Sequence, residues 1–449
     1  MMPTLASLAD DLASGRTRSL TLVSEALDRI EAPDGEGRLA FIKVHREAAL
    51  AAAEAMDRLR AAGLAPSPFA GIPISVKDLF DLAGEPTPAG SVVLADTAPA
   101  ERDAPAIARL RRAGLIVVGR TNMSEFAFSG LGLNPHHGTP ASPYDRASRR
   151  IPGGSSSGAA VSVADGMAAA GIGSDTGGSC RIPAALCGIT GYKPTAASVP
   201  LDGAFPLSQS LDSIGPLARS VACCRALHEI MSGTELPRHA IGLAGLRIAV
   251  PQTVALDGLD ATVAADFARA LTTLSKAGAQ IVEQPFARFA EVARINAKGG
   301  FAAAESYAHH RALIAAKGEG YDPRVRLRIL RGANQDCADD IELLRARAAF
   351  VAALREETGA FDVLALPTVP TMAPTIAECD ADDEAFTRLN LLMLRNPTLI
   401  NMMDGCAISL PMHRAGEAPT GLMLARAGGE DSALFGIAAA AEAALAGDR

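Results

Sequence analysis

The stretch from Ile151 to Thr195 reads IPGGSSSGAAVSVADGMAAAGIGSDTGGSCRIPAALCGITGYKPT. It carries two clusters of glycine and serine, GGSSSG at 153–158 and GSDTGGS at 173–179, joined by an alanine- and valine-rich connector. Glycine has no Cβ, so each cluster can turn sharply and let its backbone approach a ligand closely. The connector is short and apolar, which predicts packed interior. Two loops held side by side on a buried connector, each presenting a hydroxyl, form a plan for chemistry at a serine.

Outward from this stretch, strand and helix patterns alternate. Residues 4–62 read as helices; Val23, Ala26, Leu27 and Ile30 share one helix face, and Gly63 closes a second helix over 48–62. Ile72, Ile74 and Val76 alternate as in a strand that ends at Lys77. A helix over 105–112 precedes a strand at 115–118. Further on come strands at 247–250, 280–282 and 362–366, with helices through Val263, Phe267, Leu271 and Leu274 and over 339–357. This rhythm predicts an α/β fold: a single large mixed, mostly parallel central sheet covered by helices on both faces. The segment 232–243 reads as a connection inside one domain, because strands on both sides of it are needed for one sheet. The expected organisation is one domain over 1–449, with an N-terminal helical layer at 1–65, a catalytic core at 66–230 and the rest of the sheet at 231–449.

Composition narrows the function. A net charge of −8 and no long run of lysine or arginine give no nucleic-acid surface. No apolar run reaches the ~18 residues of a membrane span, and the N-terminus lacks the apolar centre of a signal peptide. The seven cysteines are odd in number and show no zinc spacing, so they read as free thiols in a reducing, cytoplasmic compartment.

A serine hydroxyl is a poor nucleophile until a neighbour takes its proton. No histidine lies in either loop, and the G-x-S-x-G at 154–158 lacks the preceding strand of a nucleophile elbow. Lysine is the other candidate base. Lys77 stands where an apolar strand ends, and burial there would leave it a free amine. Cys180 is a rival nucleophile by position, but small buried cysteines are usually inert.

With GIPISVKD at 71–78, GGSSSG at 153–158 and GSDTGGSCRIPAALCGITGYKPT at 173–195, the chain resembles the amidase signature family. Weaker likenesses run on through SLDSIGP at 210–216 and GCAISLP at 405–411. The resemblance implies a Ser–cis-Ser–Lys triad: Ser179 as nucleophile, Ser155 as bridging serine after a cis peptide bond, and Lys77 as base. It implies an oxyanion hole from the N–H groups of Thr176, Gly177, Gly178 and Ser179; Asp175 and Arg181, flanking the nucleophile, read as braces of the loop, and Ser156 as a brace of the bridging serine. The implied reaction is acyl transfer on a small amide, carbamate or ester, with no metal or organic cofactor. A homodimer is compatible with this reading.

The chain departs from the family after Lys193-Pro194-Thr195, where Ala196-Ala197-Ser198 replaces a common Gly-Arg. Phe126, Phe128, Leu131 and Leu133, with the segment 205–210, are the expected walls of an acyl or aryl pocket that is moderately apolar and unsuited to a small diacid. Two other readings stand beside the amidase. One is the glutaminase subunit of a tRNA amidotransferase, disfavoured because the segment before Phe361 lacks a Tyr- and Arg-rich helix. The other is a non-catalytic anion-binding protein, which leaves the lysine and the paired serines unexplained.

Overall fold

The computed structural model describes residues 3–447. Eleven strands form one sheet: β1 (Phe41–Val44), β2 (Pro73–Lys77), β3 (Ile116–Thr121), β4 (Ala170–Ser174), β5 (Thr190–Lys193), β6 (Ile214–Ala218), β7 (Arg247–Pro251), β8 (Gln280–Gln284), β9 (Val363–Pro367), β10 (Cys406–Pro411) and β11 (Gly421–Arg426). Their order is β1-β3-β2-β4-β6-β5-β10-β11-β9-β7-β8. The first six strands of the chain are therefore neighbours, as are the last five. The two groups meet at one seam, where β5 pairs antiparallel with β10 through Gly191 and Ser409.

The sheet is mixed, but its parallel share is smaller than the helix–strand alternation predicts. Parallel pairs are β2 with β3 and β4, and β7 with β8 and β9. The middle, from β4 through β6, β5, β10 and β11 to β9, is antiparallel. The hairpin β10–β11 inserts there, and a hairpin can only pair antiparallel. A strand within the region read as helical, β1, was also hidden: four residues, FIKV, with one exposed lysine, are too short for alternation to show.

Helices cover both faces. Ile74 and Val76 of β2, with Ile72 just before it, point into one core with Ile107 and Leu227 from covering helices. Ile116 and Val118 of β3 point into the opposite core with Val23, Leu27 and Ile30. The connector of the glycine-serine stretch is the buried helix Ser157–Ala164 followed by β4. Small residues let this helix lie hard against the sheet. A Cβ at Gly173 would stand 2.7 Å from Ser156 Oγ, so only glycine fits there.

Side chains alternate across a strand. Since Val76 faces the first core, Ser75 and Lys77 face the helix Ser157–Ala164, and Ser75 Oγ lies 2.8 Å from Ser162 Oγ. β2 and β4 run parallel, with Val76 opposite Ile172, so their carboxyl ends open at the same edge of the sheet. In sheets of this kind ligands bind beyond the carboxyl ends of strands.

Candidate active site

Lys77 closes β2 with no exposed surface. Its Nζ lies 2.7 Å from Ser155 Oγ and 2.9 Å from Ser174 Oγ, the last residue of β4. Burial, which disfavours an ammonium, lowers the Lys77 pKa to about 7 against the opposing pull of Cys180, Asp212 and Asp175. A neutral amine has one lone pair and two N–H donors, so it can accept from one of these hydroxyls while donating to the other. Ser155 follows a cis peptide bond from Gly154. Its loop is held by Gly154 N donating to Gly130 O at 2.8 Å and by Ser124 N donating to Ser155 O at 3.1 Å.

The second loop leaves β4 at Asp175. Ser156 N donates to Ser179 O at 3.4 Å, and Ser156 Oγ to Ser174 O at 3.4 Å, so Ser156 ties the two loops together. Ser179 is nearly buried. Among the described residues its hydroxyl makes no hydrogen bond to Ser155; of the three residues expected as a triad, Lys77 and Ser155 are in hydrogen-bond contact.

Asp175 and Arg181 are both fully buried and pair within the loop, with Arg181 Nη2 at 2.8 Å and Nε at 3.0 Å from the carboxylate. Burial alone would raise the Asp175 pKa; the Arg181 guanidinium holds it well below the usual carboxylate range. Asn401, on the helix Asp383–Met402, bridges the pair: its Nδ2 donates to Asp175 Oδ1 at 3.0 Å and its Oδ1 accepts from Arg181 Nη2 at 2.6 Å. Asp175 also accepts from Gly178 N at 2.9 Å and Cys180 N at 3.2 Å. This corrects one expectation: the Gly178 N–H is turned onto Asp175. The N–H groups of Thr176, Gly177 and Ser179 have no partner among the described residues. Gly178 sits at φ 126°, where a Cβ would stand 2.5 Å from Pro397, so glycine is required. Cys180 is buried, and burial pushes its thiol pKa up, which keeps it protonated and inert.

A cavity of about 420 Å³ opens beside this loop, lined by Ser174, Thr176, Ala127, Phe205, Leu207 and Asp212 among others. The segment 205–210 supplies much of its wall, including Pro206 and Gln209. None of the four apolar residues expected as walls lines this cavity. Phe126 packs against Phe205 with ring centroids 5.3 Å apart. Phe128 lies under the Arg328 guanidinium at 4.6 Å. Leu131 and Leu133 are buried with Ile151, Ile182 and Met393. Phe126 adopts φ 49°, and that turn directs Ala127 rather than a phenyl ring to the cavity.

Sequence reasoning missed Ser174, Asp212 and Asn401. Ser174 was findable, since it ends a strand next to the one bearing Lys77. Among the described residues no cluster of histidine, cysteine or carboxylates could hold a metal ion, and no helix is long and apolar enough to cross a membrane.

The sequence profile of the family described as Amidase matches residues 21–435. The 2-amino-5-chloromuconic acid deaminase of Comamonas testosteroni is 38% identical over 98% of this chain and 96% of its own. A glutamyl-tRNA(Gln) amidotransferase component from Chloroflexus aggregans is 34% identical over 92% of this chain and 90% of its own. A solved structure described as an amidase superposes with a TM-score of 0.88 at 33% identity, covering 98% of this chain and 99% of that one.

Proposed function

The chain belongs to the amidase signature family and is an amidohydrolase; from that premise we propose that it cleaves the C–N bond of small uncharged amides through an acyl-enzyme on Ser179. The observation that carries the reading is the wholly buried Lys77 amine, 2.7 Å from Ser155 Oγ. Ser179 Oγ attacks the carbonyl while its proton passes to Ser155 and the proton of Ser155 passes to Lys77. The N–H groups of Thr176, Gly177 and Ser179 receive the developing oxyanion; each such donor is worth roughly 3 kcal/mol to the transition state. Lys77 then returns the proton through Ser155 to the leaving amine, and water clears the acyl group by the same relay.

The cavity supports a neutral acyl or aryl group. Leu79, Leu201, Phe205 and Ile214 are apolar, the charged lining residues are Asp202 and Asp212, and no lysine or arginine is among them. A carboxylate on the acyl portion would meet like charge there. Carbamates and esters of the same shape fit the same chemistry. The tRNA amidotransferase reading keeps some support from the similarity to the Chloroflexus aggregans protein, and it requires partner subunits.

The isolated chain should release ammonia from neutral alkyl and aryl primary amides and turn over malonamate-type half-amides poorly. Activity on glutamine alone, and only with partner subunits added, would overturn the proposal. A protonated amine cannot accept, so kcat/KM should fall about tenfold per pH unit below about 7, where Lys77 becomes charged. A flat profile between pH 5 and 8, read with a neutral amide, would exclude Lys77 as the base.

A further inference from the structure

The relay creates a problem of charge. When Ser179 attacks a neutral carbonyl, its O–H bond breaks, a C–O bond forms, and the site gains an ammonium on Lys77 together with an oxyanion. The N–H groups meet the oxyanion. The ammonium forms where no water reaches, and a buried cation needs an opposing charge.

Three titratable groups act on Lys77: Cys180, Asp212 and Asp175. The Cys180 thiol is protonated. Asp175 is already matched by Arg181 at 2.8 Å, with Lys193 also acting on it. Asp212 is different. It is buried, it lines the cavity with Ser174, and Ser174 Oγ is 2.9 Å from Lys77 Nζ. Its oxygens accept from the Thr176 hydroxyl and from the N–H groups of Leu207 and Ser208 at 3.0 Å. No lysine, arginine or histidine pairs with it among the described residues, and the charged neighbour acting on it is another acid, Glu305. Three hydrogen bonds keep an anion where burial would protonate it, with no cation present to account for one.

We propose that Asp212 is the counter-charge of the Lys77 ammonium, a positioning residue that stabilises the protonated base during acyl transfer while holding Thr176 in the oxyanion loop. This rests on the serine–lysine reading above. The relay moves the proton to Lys77, and Asp212 stays ionised throughout.

The test is the pH profile of Ser179 labelling by a fluorophosphonate, with kcat/KM on a neutral amide beside it. Wild type is measured first. If Ser179 is not labelled, the serine–lysine reading itself fails; if it is labelled, the variants bear on Asp212 alone. In Asp212→Asn the ammonium loses its partner, so the acid limb should move down by roughly one pH unit and the plateau should fall about tenfold or more. A plateau loss with an unmoved limb would reduce Asp212 to a structural pin and overturn the proposal, as would an unchanged profile. Asp212→Ala leaves space on the cavity wall, and formate should restore both limb and plateau; failure of rescue in the folded variant counts against it. If neither of these folds, Asp212→Glu decides: it keeps the carboxylate, so its acid limb should stay where the wild-type limb is. A limb in Asp212→Glu that moves down as expected for Asp212→Asn would overturn the assignment.

Discussion

Ser179→Ala is expected to lower kcat on a neutral amide by about 10⁴–10⁶-fold, with fluorophosphonate labelling abolished. The size follows from what the hydroxyl does. In the proposed mechanism it forms the acyl bond; the Thr176 hydroxyl is committed to Asp212 and Cys180 is buried and protonated, so neither neighbour substitutes. Lys77→Met should come close to the same loss, because a serine without a proton acceptor stays a poor nucleophile. The double variant should lose little more than either single one, since the residues act as a unit. Losses that multiply would show that Lys77 serves only to hold Ser155. Circular dichroism of each variant separates lost chemistry from lost structure.

Asp175→Ala is expected to destabilise the fold by about 3–5 kcal/mol, the second of the two largest effects. The substitution leaves the Arg181 guanidinium fully buried with its cationic charge unmatched. It also frees the N–H groups of Gly178 and Cys180 and the Nδ2 of Asn401, all of which donate to Asp175. Activity should fall with stability, because these bonds set the path of the chain between Thr176 and Ser179. Urea denaturation of the variant is the measurement. A loss below about 1 kcal/mol would mean that solvent or a nearby acceptor reaches Arg181 after all. Removing both charges together, as in an Asp175→Asn, Arg181→Met variant, should cost less than Asp175→Ala alone.

How far the sequence speaks depends on the distance between partners. The two loops and their buried connector were legible because their residues are contiguous and of decisive type. Lys77 was legible because it ends an alternating apolar run, and parallel pairing of its strand with β4 turns that into contact. Asp212 was not legible as a partner of Thr176, since the two are 36 residues apart and nothing local marks the pairing. Asn401 stands 226 residues from Asp175, and its role emerges only when its helix docks. The pocket wall illustrates another limit. Phe126 and Phe128 were read from composition, but the left-handed turn at Phe126 sends Ala127 to the cavity instead. The antiparallel middle of the sheet was hidden because β10 and β11 come last in the chain yet sit between β5 and β9.

The single seam between the early and late strands bears on how such a hydrolase is made. A ribosome releases the N-terminal residues first, and Lys77, Ser155, Ser179 and strands β1–β6 are all out while the last five strands are untranslated. At that stage the segment carrying Ser179 has neither the Pro397 ring against Gly178 nor the Asn401 amide across Asp175 and Arg181. Asp175 and Arg181 already pair and take up the Gly178 and Cys180 N–H groups, but the loop lacks the support of the late helix, and donors without a fixed aim stabilise an oxyanion poorly. Under the proposed mechanism the nascent polypeptide would hold Lys77, Ser155 and Ser179 early and gain the support of Pro397 and Asn401 only when the late helix docks.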